Sequence, residues 1–268
     1  MAKQAQVHRG ETALITGASS GFGAEFAKLF ARDGYNLVLV ARSEGALNTL
    51  ADQLRTRYGV QVRVLPKDLA LPAAPDEIFA TLGDEGITVD VLVNNAGFAT
   101  YGPFVEIPLQ ADMDMLKVNM LALTHLTKLF LPAMLARRRG KILNVASTAA
   151  FQPGPLMAAY YASKAYVLFL SEAIAEEVRG SGVTVTALCP GPARTGFQRR
   201  AQMEDSRLVS GRIMDARTVA VAGYRAMQQG RTVVIPGLRN RLMALAPRVS
   251  PRGMTARVVK NMQVRVSH

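Results

Sequence analysis

Short runs of β-branched and aliphatic residues alternate with longer stretches of helical period, and this alternation limits the fold more than any other feature of the chain. Residues 12–16, 37–40, 62–65, 89–93, 141–145, 183–188 and 232–235 read as strands, and residues 24–33, 46–58, 111–137, 160–179 and 216–229 as helices. Strands and helices in that order build βαβ units, and hence a parallel sheet covered on both faces. The strands are apolar almost without interruption, as strands buried on both faces are. No repeat or low-complexity linker divides the 268 residues. The reading is therefore one α/β domain over residues 1–235, with residues 236–268 as a basic extension or lid.

Composition removes several classes of protein. Hydrophobic residues make up 49% of the chain against 19% charged, which is not the balance of a disordered segment. A single cysteine, Cys189, allows no disulfide framework or thiolate-rich zinc site and reads as a small buried hydrophobe. No metal site is expected. The N-terminus is too polar for a secretory signal, and residues 121–135 are interrupted by His125, Lys128 and Pro132, so the expectation is a cytoplasmic protein without a membrane-spanning helix.

The formal charge is +12, and it is concentrated late in the chain. From Ala216 to His268 there is no acidic residue, while ten are Lys or Arg. Such a segment attracts anionic partners or is simply solvated. Neither zinc-finger spacing nor an aromatic-interleaved basic stripe accompanies it, so nucleic acid is not an expected partner. Peripheral contact with an acidic membrane surface remains a candidate use.

A glycine-rich turn, Thr16-Gly17-Ala18-Ser19-Ser20-Gly21-Phe22-Gly23, lies between the first strand and the first helix. Glycines there let the backbone turn sharply and approach a pyrophosphate, while the helix start offers free N–H groups to the anion. The same residues match the G-x-S-x-G of hydrolase nucleophile elbows, but that chemistry needs a later acid and then a histidine base. Only His125, within an apolar helix, and the terminal His268 follow. At the end of the second strand, Arg42 and Ser43 stand where NAD-preferring folds carry a carboxylate. Arg42 can pair with a 2′-phosphate and Ser43 can donate to it, which favours NADP(H), with NAD(H) as the second option. Asp68 and Leu69, after the third strand, are candidates for the adenine.

Tyr160 and Lys164 are four residues apart on a helical stretch and so share one face. An ammonium near a phenol favours phenolate and tunes it toward acid/base work. Ser147 closes the fifth strand, where its hydroxyl can meet a carbonyl oxygen.

The glycine turn, Asn94-Asn95-Ala96-Gly97, Asn119, Ser147, Tyr160-x-x-x-Lys164 and the run Pro190 to Thr195 occur in one order at consistent spacings. This set resembles the short-chain dehydrogenase/reductase family, of the compact type, over roughly residues 10–235. The resemblance implies a Rossmann-like, doubly wound sheet of seven parallel strands. It also implies hydride exchange between a nicotinamide and a ketone or secondary alcohol. It assigns Tyr160 the proton transfer, Lys164 a grip on the nicotinamide ribose, Ser147 the carbonyl, and Asn119 a relay water. Gly17, Ser19, Ser20, Gly21, Phe22, Gly23, Asn95, Ala96, Gly97, Pro190, Gly191 and Thr195 would contact the cofactor, with Thr195 on the carboxamide.

The loops expected to close on a substrate carry Phe98, Tyr101, Phe104, Phe151, Leu156, Met157, Phe197 and Met203, walls suited to an apolar carbonyl compound. Arg194, Arg199 and Arg200 are candidates for an anionic group. The faces Leu116, Met120, Leu123, Leu126 and Phe130, and Val167, Leu168 and Leu170, are expected to pair copies into a homodimer or homotetramer, as relatives commonly do. The competing function is a protein that binds NADP without turnover, as a sensor or as a scaffold using the basic tail.

Overall fold

The computed structural model describes residues 8–197 and 213–263. β1 (Thr12–Thr16), β2 (Asn36–Ala41), β3 (Val62–Pro66), β4 (Val91–Asn94), β5 (Gly140–Val145), β6 (Val183–Leu188) and β9 (Val233–Val234) form one parallel sheet in the order β3-β2-β1-β4-β5-β6-β9. All seven expected strands are present, although β4 starts two residues late and the last strand keeps only its central pair. A separate two-stranded pairing of β7 (Ala193–Arg194) with β8 (Met214–Asp215) was not foreseen.

Alternate residues of each strand enter opposite cores, which explains the unbroken apolar runs. Ile15, Leu37, Leu39 and Val93 pack on one face with α1 (Gly21–Arg32), α2 (Glu44–Tyr58) and α7 (Ala216–Gln228). Leu14, Val38, Val40 and Leu92 pack on the other, against α3 (Ala74–Asp84) and the long helix after β4. That helix runs as α4 (Leu109–Leu116), a π-helical segment (Lys117–Ala122) and α5 (Leu123–Ala136). Its length and apolarity would suffice to cross a membrane. Here Leu126, Phe130 and Met134 instead cover the sheet, and burying each contributes about 1.5–3 kcal/mol.

The strand order reverses between β1 and β4. Open α/β sheets bind ligands in the crevice outside the carboxyl ends at such a switch point. The glycine turn and Asn95-Ala96-Gly97 follow these two strands.

Three helices escaped the sequence reading. α3 begins with Pro75 in its first turn, a position where proline needs no donor. The basic tail folds into α8 (Leu238–Val249), with Pro247 inside it, and α9 (Arg252–Gln263), directly after Pro251. The proposed oligomer faces need correction: Leu123, Leu126, Phe130, Val167 and Leu168 are buried within the monomer. The exposed apolar residues of those helices are instead Leu109, Met113, Leu121 and Phe169.

Candidate active site

β1 delivers Thr16, whose hydroxyl donates to the Val93 carbonyl and accepts from the N–H groups of Asn95 and Ala96. The Asn95 amide donates to the carbonyls of Thr16 and Gly17 at 2.8 and 3.2 Å. The turn is therefore clamped to the loop after β4, a role of Thr16 absent from the sequence reading. Gly17 has φ +64° and would place a Cβ 2.9 Å from Ala96 Cα. Gly23 would place one 2.2 Å from the Gly17 carbonyl oxygen. These two glycines permit close packing of the protein on itself. Gly21, at φ +55°, bends the turn toward Thr195.

Above the switch point opens a cavity of about 610 Å³. Gly17, Ser19, Ser20, Gly21, Phe22, Arg42, Ser43, Asp68 and Leu69 line one end, with Asn95, Ala96 and Gly97 between. Ser147, Tyr160, Lys164, Pro190, Gly191 and Thr195 line the other. Of the predicted catalytic and cofactor-contacting residues, Gly23, packed behind the turn, and Asn119 are missing from its wall.

Asn119 lies in the π-helical segment, and its side chain is committed to the protein. Its Nδ2 donates to the Phe98 carbonyl and Ser163 hydroxyl at 3.0 and 3.2 Å, while Oδ1 accepts from the Phe98 N–H at 3.1 Å. The side chain thus fixes the loop after β4.

Ser147 stands two residues after β5, its hydroxyl accepting from the Ala149 N–H at 3.1 Å and donating to the Pro190 carbonyl at 3.4 Å. Its proximity to Tyr160 lowers the phenol pKa, yet burial is the larger effect and holds that pKa well above the usual phenol range. The Lys164 ammonium donates to the Val145 carbonyl at 2.8 Å and lies 5.8 Å from the Tyr160 ring centre. Burial pushes its own pKa down to about 8. Burial thus sets the direction for both groups, raising the phenol and lowering the amine, and the expected lowering of Tyr160 by Lys164 is not found. Cys189 is buried, and its thiol is pushed up to about 12.

The cavity suits a nicotinamide dinucleotide. The hydroxyls of Ser20 and Ser43, at the N-caps of α1 and α2, are not used as caps and are free to meet phosphate oxygens. Arg42 projects at the end of β2 and touches Asp68 at only 3.8 Å, too loosely to occupy its guanidinium. No carboxylate stands at that strand end to repel a 2′-phosphate.

At the substrate end, Phe98, Met157 and Phe197 line the cavity as expected, while Tyr101, Phe104, Phe151 and Leu156 do not. Phe104 is exposed, Phe151 packs beneath the sheet end, and Arg194 is exposed off the wall. Arg199, Arg200 and Met203 lie outside the described residues. Tyr161, Met243, Val259, Met262 and Gln263 complete the wall. Four of these come from the tail, whose prolines and Gly253 hid its helical period. Among the described residues no cluster suited to a metal ion occurs.

A glycine turn at the switch point thus faces a serine, a tyrosine and a lysine across one cavity. Residues 11–206 match the family model described as short chain dehydrogenase. The chain belongs to the short chain dehydrogenase family. It is 36% identical to a short-chain dehydrogenase from Sphingobium yanoikuyae, solved in complex with NADPH, with a TM-score of 0.81 over 88% of this chain and 92% of that one. It is 31% identical to a bulky-bulky ketone specific alcohol dehydrogenase from Comamonas testosteroni, with a TM-score of 0.77 over 96% of both chains. It is 40% identical over 181 residues to a very-long-chain 3-oxoacyl-CoA reductase of Pyrenophora tritici-repentis, across 66% of this chain and 53% of that protein. The chain spans about half the length of the curated relatives it matches.

Proposed function

We propose that this protein is an NADP(H)-dependent reductase of bulky apolar ketones, with 3-oxoacyl thioesters as the substrate class. The convergence of Ser147, Tyr160 and Lys164 on the wall of the cavity that also holds the glycine turn and Arg42 carries this reading. The bound cofactor supplies the hydride. Arg42 and Ser43 hold its 2′-phosphate, and Lys164 its nicotinamide ribose. Ser147 orients the substrate carbonyl. Tyr160, kept protonated by burial, gives its O–H proton to the oxygen as charge builds there. Phe98, Met157, Phe197, Met243 and Met262 supply an adaptable apolar wall for the chain. The names of the reductase and ketone-specific relatives support this substrate class.

Residues 1–235 carry the cofactor and the proton chemistry, and residues 236–268 act as a lid over the substrate end. On that lid, Leu238, Leu242 and Leu245 of α8 form an exposed stripe, and Met254 and Val258 of α9 are also exposed. Arg239, Arg241, Arg257 and Lys260 accompany it. An anionic lipid surface offers both the apolar depth and the charge that this face would match, whereas nucleic acid offers only the charge. Leu121 and Phe169 are the residues we assign to a contact between copies in a homo-oligomer, and we place the protein in the cytoplasm.

The test is NADPH oxidation with 3-oxoacyl thioesters, bulky ketones and short ketones, repeated with NADH. Faster turnover of the first two with NADPH supports the proposal. Cofactor binding without turnover of any carbonyl compound would establish the sensor instead.

A further inference from the structure

We propose that Gln263 is a substrate-recognition residue: its side-chain oxygen accepts a hydrogen bond from an uncharged N–H or O–H group carried by the substrate beyond its reacting carbonyl. The inference rests on the substrate reading above.

Gln263 is 0% exposed, although it stands near the end of the chain. Its main-chain carbonyl accepts from the Tyr101 hydroxyl at 2.5 Å. Its side-chain Nε2 donates to the Tyr161 hydroxyl at 2.6 Å. One residue thus ties α9 both to the loop after β4 and to α6 (Ala158–Glu177), the helix that carries Tyr160. Tyr161 is itself held in place, since Gly154 lies so close beneath its ring that a Cβ there would stand 2.1 Å from Cγ.

The other end of the amide is unsatisfied. Oε1 of Gln263 is buried without a hydrogen-bond partner among the described residues. A buried acceptor left unpaired is costly, and most such groups in native proteins find a donor. Gln263 lines the cavity beside Tyr161, and the Tyr161 ring meets that of Tyr160 edge-on at 6.1 Å. A group bound against Tyr160 therefore has Gln263 one side chain away. Among the described residues, Val259 and Met157 belong to the same buried apolar cluster as the two tyrosines. In this proposal the missing partner comes from the ligand, as a neutral donor. A carboxylate would face an acceptor oxygen in an apolar setting and be rejected. The amide N–H of a cysteamine-type thioester is a donor of this kind.

Two 3-oxooctanoyl thioesters test the inference on the full chain with NADPH: that of N-acetylcysteamine, and that of 2-acetoxyethanethiol, in which an ester oxygen replaces the N–H. The wild-type protein is expected to favour the amide probe by about tenfold in kcat/KM, the usual order of one buried hydrogen bond. Gln263→Met should bring that ratio close to one, the loss appearing in the KM of the amide probe, as expected of a residue that binds rather than reacts. Gln263→Ala, which needs no added space, carries the same comparison should Gln263→Met fail to fold. A ratio near one in the wild type, or a preference that survives both substitutions, overturns the inference while leaving the substrate class intact. If the wild type reduces simple ketones and neither thioester, the substrate class falls, and this inference with it.

Discussion

Asn240, in the first turn of α8, fills the space that a side chain on Gly191 would need: a Cβ there would lie 2.5 Å from its Oδ1. Asn240 is in turn anchored by its Nδ2, which donates to the Pro236 carbonyl at 2.8 Å. The basic tail is therefore seated directly on the loop after β6, which lines the cavity.

Gly191→Ala must displace Asn240 from its bond to Pro236 or push α8 outward. Overpacking of this kind costs about 1–3 kcal/mol, and in a domain of this size the melting midpoint falls by about 2–4 °C per kcal/mol. The clash disappears if Asn240 is also shortened. Thermal melts of Gly191→Ala, Asn240→Ala and the double variant should show the double variant recovering part of the loss of the first. Strict additivity would contradict direct contact.

Arg42 is half exposed, so its hydrogen bonds to a phosphate belong at the weak end of the charged range. Arg42→Ala should raise the KM for NADPH by about tenfold and leave that for NADH nearly unchanged. Initial rates at saturating carbonyl substrate measure both. Equal effects on the two cofactors would show that Arg42 does not meet the 2′-phosphate.

Lys164 makes stability depend on pH in a defined direction. Its folded pKa of about 8 lies below the ordinary value of 10.5, so between these the folded state binds fewer protons than the unfolded one. Stability from this group therefore rises with pH across that window. Up to about pH 10 the tyrosine held up by burial adds no opposing change. In the cofactor-free protein, the stability of the wild type relative to Lys164→Met should increase from pH 7 to 9.5, by denaturant unfolding at each pH. A constant difference would mean that the ammonium is solvated.

The sheet could be read from the chain because strands buried on both faces need unbroken runs such as Leu37-Val38-Leu39-Val40, each residue of which enters one core or the other. The cavity wall was legible for a related reason: glycine at positions 17 and 21, and hydroxyl, phenol and amine at 147, 160 and 164, are chemistries that few other residues supply. Other features depend on tertiary contacts. Gly23 and Asn119 sit in the same motifs, but the first packs on Gly17 and the second on Phe98, which spacing alone does not reveal. The helices of the tail were hidden because Pro247 lies inside α8 and Pro251 and Gly253 open α9, and with them went Gln263. The direction of the Tyr160 shift was missed because burial, not charge, dominates it.

The most direct measurement is NADPH oxidation by Tyr160→Phe with a ketone that the wild type reduces. The ring keeps its packing and loses only the proton it would give. The expected result is NADPH affinity within about twofold of the wild type and a kcat lower by about 10²–10⁴, the usual contribution of general acid catalysis. A kcat close to that of the wild type would contradict the central assignment, because the proton would then come from another group.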